Sequence, residues 1–257
     1  MELELWIVLL VCLAFFAAGF IDSIAGGGGL ISIPAFLLTG VQPEVVLGTS
    51  KMAAGLGTAS SLLTYARSGL VIWRMALCGI PACLIGAYIG SKAILYFDSA
   101  TIGKIMLVLL PIGALVTLLP KKSAATGFLS SDLRPRDLHV YNPLICLILG
   151  FYDGFFGPGT GSFFIIAYHF FLKIGLVQAS ATAKVFNLAT TLSSFVVFAM
   201  SGHVLFLLAV PLAAVNIVGN VLGTRMAIRI GAGFVRKILY VSLSLLFASL
   251  IYKFFFE

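Results

Sequence analysis

Between residues 185 and 224 the chain carries no Asp, Glu, Lys or Arg. That run is about twice the roughly 20 residues a helix needs to cross a bilayer. Four more charge-free runs, at 23–43, 75–91, 105–120 and 154–172, are each near that length themselves. A buried strand or core helix of a soluble enzyme explains any one of them, but in succession they leave no polar sequence to cover the rest. Only 10% of the residues are charged, against about a quarter in an ordinary soluble domain. The fold class is therefore an all-α polytopic membrane protein. Its first segment resembles a secretory signal in length, but Glu2 and Glu4 stand where a signal needs positive charge, so it reads as a retained helix.

The formal net charge of +7 is spread over the segment ends with no dense basic cluster, which excludes nucleic acid as a partner. Cys12, Cys78, Cys83 and Cys146 sit inside apolar segments and form no CxxC pair, so neither a metal site nor a disulfide framework is expected, and no cofactor is. The expected partners are the lipid bilayer and a small anionic solute, with a homodimer left open.

The sequence repeats itself. Gly19, Phe20, Asp22 and Gly26 recur as Gly150, Phe151, Asp153 and Gly157, at an offset of 153 − 22 = 131. Thr49 and Lys51 recur as Thr182 and Lys184, Gly69 as Gly202, and Gly86 and Gly90 as Gly219 and Gly223, at 184 − 51 = 133. One two-residue insertion reconciles the registers. This predicts a first transmembrane repeat at 1–119, a linker at 120–138 and a second repeat at 139–257. Each repeat should hold a first helix, a break at glycines, a short apolar segment and three fuller spans, in the first half near 45–66, 71–94 and 101–119.

Lys and Arg favour the cytoplasmic side. In the first half Arg67 and Arg74, with linker residues Lys121, Lys122, Arg134 and Arg136, can share that side. In the second half the bias moves to the tip with Arg225, Arg229, Arg236 and Lys237, while the loop equivalent to Arg67 has only His203. Inverted halves with a cytoplasmic linker are expected, in about 8–10 membrane segments counting broken or re-entrant helices. A parallel arrangement of four spans plus four remains the alternative.

The candidate site lies at the breaks. Gly26, Gly27, Gly28 and Gly29 in one half, and Gly157, Gly159, Thr160 and Gly161 in the other, should interrupt regular helix. Interrupted backbone at membrane depth has to be buried in protein or line a wet cavity. The helix N-terminus that follows is a ready anion site; tight helix packing is the other use of such glycines. Lys51 and Lys184, each a few residues inside a long span, are costly in lipid and point to a solute pathway or a paired partner; snorkelling to an interface is the plainer reading. Thr49, Ser50 and Thr182 beside the lysines, and Thr58, Ser60, Ser61, Asn187, Thr191, Ser193 and Ser194 farther along the same helices, can donate hydrogen bonds to oxyanion oxygens, as can Asn216 and Asn220. Interhelical hydrogen bonding is the more frequent role for any one of them. Asp22 and Asp153 could carry a coupling proton, pair with the lysines, or cap the short helix that follows.

The stretches GFIDSIAGGGGLISIPAFL, GTSK and GAYIGSK, with their degenerate second copies, resemble the TauE/SafE family of sulfite and organosulfonate exporters over essentially the whole chain. The resemblance implies a non-enzymatic secondary transporter that exports a small sulfur-containing anion across the cell (plasma) membrane. The second copy departs at Pro158, Thr160 and Ala183, so the two sites are not strict equivalents. A passive anion channel is the nearest rival. An intramembrane hydrolase built on Ser162 with His169 or His203 is the remote one, because the residue order does not form GxSG.

Overall fold

The computed structural model describes residues 5–106, 108, 134–231, 233, 234 and 237. Helix α1 (Leu5–Ala25) ends where the glycine run begins. Gly26 and Gly27 then take φ of 65° and 139°, values an L side chain rarely adopts, and the short α2 (Gly29–Leu37) starts beyond them. α3 (Pro43–Arg67) opens on a proline, whose missing N–H costs nothing in a first turn, and α4 (Trp73–Ile94) follows. A helical run at 99–106 is capped by Asp98, which accepts from the Thr101 N–H at 3.2 Å and from its hydroxyl at 2.7 Å. These bonds hold the Asp98 carboxyl below the usual range.

The second half repeats the order. A π-helical turn, Asp137–Tyr141, leads into α5 (Asn142–Phe155). After a break at Gly157 and Gly159, with φ of 97° and 85°, come α6 (Thr160–Phe171), α7 (Leu176–Met200) and α8 (Phe206–Ile230). The expected spans near 45–66 and 71–94 match α3 and α4 to within a few residues. The expected span at 101–119 lies outside the described residues beyond 106 apart from 108. So does the linker 120–138 up to 133, and so do residues 238–257.

All regular structure among the described residues is helical. Four helices there are long and apolar enough to cross a membrane: Trp6–Ala25 of α1, then α4, α7 and α8. α3 is as long as α7, but its Gly, Ser and Thr content and Lys51 lower its hydropathy. Leu13, Leu77, Ile85 and Leu207 stand exposed on outer faces, a surface suited to lipid rather than water. The chain is a multi-pass membrane protein.

The two halves are interlaced. α1 packs along α8 and α4 along α5, so the first helix of each half lies on the last long helix described in the other. Glycine makes both seams close. A Cβ on Gly86 would stand 2.3 Å from the Leu147 carbonyl and one on Gly90 2.1 Å from that of Phe151. Their counterparts Gly219 and Gly223 would meet the carbonyls of Phe16 and Phe20 at 2.2 and 2.4 Å.

α3 and α7 cross at the centre with their ends locked reciprocally. Thr49 Oγ1 accepts from the Leu205 N–H at 3.0 Å, and Thr182 Oγ1 accepts from the Ile72 N–H at 3.1 Å. The start of each helix thus holds the loop leaving the other, so the two run antiparallel. Both members of this exchange are 133 residues apart, since 182 − 49 = 205 − 72 = 133.

Candidate solute-binding site

Each buried lysine reaches the aspartate of the other half. Lys51 Nζ donates to the Asp153 carbonyl at 2.6 Å and stands 3.0 Å from its Oδ2, off the axis of a good hydrogen bond. Lys184 Nζ donates to Asp22 Oδ2 at 2.6 Å and to the Asp22 carbonyl. An ammonium in hydrocarbon needs such a partner, and two bonds to Asp22 supply it for Lys184, one bond and an ion pair with Asp153 for Lys51. Neither lysine reaches an interface: Lys51 is 8% and Lys184 1% exposed. Two ammonium groups against two carboxylates leave the quartet without net charge.

The aspartates sit one turn before the breaks, at places set by the ends of α1 and α5. Asp22 Oδ1 accepts from the N–H groups of Gly27 and Gly28, at 3.1 and 3.4 Å, and so caps the entry to α2. Both the pairing and the capping considered for Asp22 therefore occur together. Among the described residues no carboxylate does this for the first turn of α6. Its early N–H groups keep the partial positive charge of an uncapped helix end.

A cavity of about 70 Å³ opens between the halves, room for roughly five water molecules. Gly27, Gly28, Gly29, Ser50, Lys51 and Asp22 line it from one half. Asp153, Gly157, Gly159, Thr160, Gly161 and Asn187 line it from the other. Both helix starts, α2 and α6, thus face one space. Ser50 Oγ and Asn187 Oδ1 are buried without a protein partner, so each keeps unused hydrogen-bonding capacity beside the cavity.

Four expected residues lie elsewhere. Thr49 and Thr182 hold the loops described above. Lys184 stands behind Asp22, whose side chain is 21% exposed against 1% for the lysine. Gly26 crosses Gly161 backbone to backbone, so that its Cβ would fall 2.2 Å from the Gly161 carbonyl carbon. Tight packing, the other use weighed for these glycines, is the role of this one.

Thr58, Thr191 and Asn216 also line the cavity. The first two follow from helical spacing, seven residues beyond each lysine and so on the same face. Ser32 and the apolar wall of Ile33, Leu47 and Phe156 were not foreseen. Ser32 sits one turn into α2, a signal readable only once the break is placed.

The family model described as "Sulfite exporter TauE/SafE" matches residues 11–250. The chain belongs to the TauE/SafE family. A "Probable membrane transporter protein" of Haemophilus influenzae is 35% identical, over 96% of this chain and 94% of its own length. "Probable membrane transporter protein ORF9" of Sinorhizobium is 32% identical over 93% and 90%. "Probable membrane transporter protein YfcA" of Escherichia coli K12 is 31% identical over 95% and 90%. No solved structure matches.

Membership makes this chain a membrane transporter, and the geometry around Ser162 gives no support to the hydrolase reading. In this TauE/SafE protein the Ser162 hydroxyl bonds the carbonyls of Ala25 and Gly26, tying the second break to the first. His169 Nδ1 meets the Ile174 carbonyl at 2.8 Å. Neither side chain stands as nucleophile or base to the other.

Proposed function

We propose that the protein is a secondary transporter, working as an exporter, of small sulfur-containing anions such as sulfite or an organosulfonate. It works by alternating access between two inverted halves. The observation that carries this reading is the convergence of two broken-helix starts and Lys51 on one cavity. The antiparallel crossing of α3 and α7, equivalent helices of the two repeats, supports inversion. The size of the cavity suits a compact oxyanion.

The lysines do not offer free charge, because each is neutralised by an aspartate. The positive potential left over comes from the uncapped start of α6, about half a unit charge, and from the hydroxyl and amide donors around it. An anion gains more if Lys51 gives up its ion pair with Asp153 and turns toward the solute. Asp153→Asn, which removes that ion pair, should therefore strengthen solute binding, and an unchanged affinity in the variant would remove Asp153 from the mechanism.

The defining experiment is flux into liposomes carrying the purified protein, over a panel of sulfite, sulfonates, sulfate and carboxylates. Saturable flux of a sulfur oxyanion that accelerates against a counter-gradient is the expected result. Flux that rises linearly with concentration would indicate a passive channel, and no flux of any sulfur anion would overturn the substrate class.

A further inference from the structure

From the cavity a seam of polar side chains runs between α3 and α8 toward the Arg67 end of α3. Thr58, Ser61 and Tyr65 lie on one face of α3, three and four residues apart. Asn216, Asn220 and Thr224 lie on one face of α8, four apart. All six are at most 3% exposed. Thr58 and Asn216 line the cavity, and beyond them the Ser61 and Thr224 hydroxyls meet at 2.6 Å. The seam closes at Tyr65, whose hydroxyl donates to the Ser23 carbonyl at 2.9 Å and stands 3.4 Å from Ser180 Oγ.

The matching seam between α7 and α4 tells what this one is for. At the 133-residue offset, Tyr65 becomes Phe198, Asn216 becomes Cys83, Asn220 becomes Ala87 and Thr224 becomes Ser91, while only Thr58 and Ser61 keep their type as Thr191 and Ser194. Ser180 becomes Leu47. The same helices in the same arrangement therefore pack without the carboxamides and the phenol. On the α3–α8 side Asn216 Nδ2 donates to the Phe15 carbonyl at 2.8 Å and Asn220 Nδ2 to Asn216, bonds that the α7–α4 side does without. Asn220 Oδ1 moreover is buried with no partner, which a purely structural amide would not leave unused.

We infer that the α3–α8 seam is the route by which solute passes between the cavity and the Arg67 end of α3, with Tyr65 as its closing residue. The inference rests on reading the cavity as the solute site. The seam is lined by hydroxyl and carboxamide groups that are bonded to one another and to the backbone while it is closed and would turn to the solute as it opens, and none of its residues bears a negative charge. Asp22, the carboxylate near Tyr65, is held by Lys184. Such a lane suits an acceptor-rich anion partly stripped of water. The α7–α4 seam, lacking these donors, does not.

The test uses the full chain in membrane vesicles of both orientations, with the four free native cysteines replaced by alanine. Asn220→Cys and Ser61→Cys should react with the impermeant anionic reagent 2-sulfonatoethyl methanethiosulfonate from one face only, at least tenfold faster than Ala87→Cys. Ethanesulfonate should slow that reaction. Asn220→Cys reacting no faster than Ala87→Cys would overturn the inference. In the unaltered protein, hydroxyl-radical oxidation of Tyr65 should rise severalfold during ethanesulfonate turnover, and an unchanged Tyr65 would overturn it independently of any variant. Absence of flux for every anion in liposomes would sink the transport reading. Intact flux with an unreactive Asn220→Cys would sink only the seam.

Discussion

Lys51 and Asp153 show how a buried pair can be indispensable in parts and dispensable as a whole. Removing one partner leaves the other charge stranded in low dielectric, at a cost of about 3–5 kcal/mol. Lys51→Ala should therefore lower the melting temperature in detergent steeply and abolish flux. Adding Asp153→Ala to it should restore most of the melting temperature but none of the flux, which separates the lysine's structural part from its part in transport. If the double variant transports, Lys51 is no solute ligand. A second contrast concerns glycine. At Gly26 the backbone has positive φ and meets Gly161 face to face, whereas Gly40, also at positive φ, has open space around it. Gly40→Ala should cost only about 1–2 kcal/mol. Gly26→Ala should cost several times more, read as loss of monodisperse protein.

The residue types of the site were legible, and so were the placements of all but Gly26, Thr49, Thr182 and Lys184. The matched lysines and glycines stood out because lipid penalises both a charge and a broken helix, so each demanded a reason. Thr49 and Thr182 were assigned to the solute because they adjoin the lysines in the chain. Two residues along an α-helix is a turn of about 200°, and that carries them to the opposite face. The same arithmetic, applied forward, marks Thr58 and Thr191 as cavity residues. Spacing could not reveal that Lys184 lies behind Asp22, since that depends on how the second half meets the first.

At the scale of elements, the glycine seams of α4 with α5 and α1 with α8 are duplicates of one contact. Gly90→Val and Gly223→Val each drive a side chain into a carbonyl of the facing helix, at Phe151 and Phe20. Both should destabilise by about 1–3 kcal/mol or more, and by similar amounts, in thermal melts. Strongly unequal losses would show that the two seams bear different loads. The repeat itself was readable from matched residues. The pairing of each first helix with the far half's last long helix was not, because equal spacing fits helices packed within a half as well as between halves. What settles the choice physically is where small residues face carbonyls, and that is a property of two helices together.

For the whole molecule, the inverted reading makes a sharp statement about sidedness. Ser68 and Ser201 end α3 and α7 at equivalent places, each followed by a glycine with positive φ. Cysteines introduced at these two positions should be labelled by an impermeant reagent from opposite faces of the membrane. Labelling from the same face would replace inversion with the parallel arrangement. Charge bias in the loops gave this expectation without any structure, since Arg67 and Arg74 have no counterpart beside His203.

Trading first helices between halves has a consequence for ancestry. A single-repeat precursor would have exposed the glycine face of its last long helix with nothing of its own to cover it, and would have had to borrow that cover from a twin. Gene fusion would then have joined partners already obliged to assemble. Coexpressed fragments severed between the repeats should still find each other in the membrane, while either one made alone should be degraded.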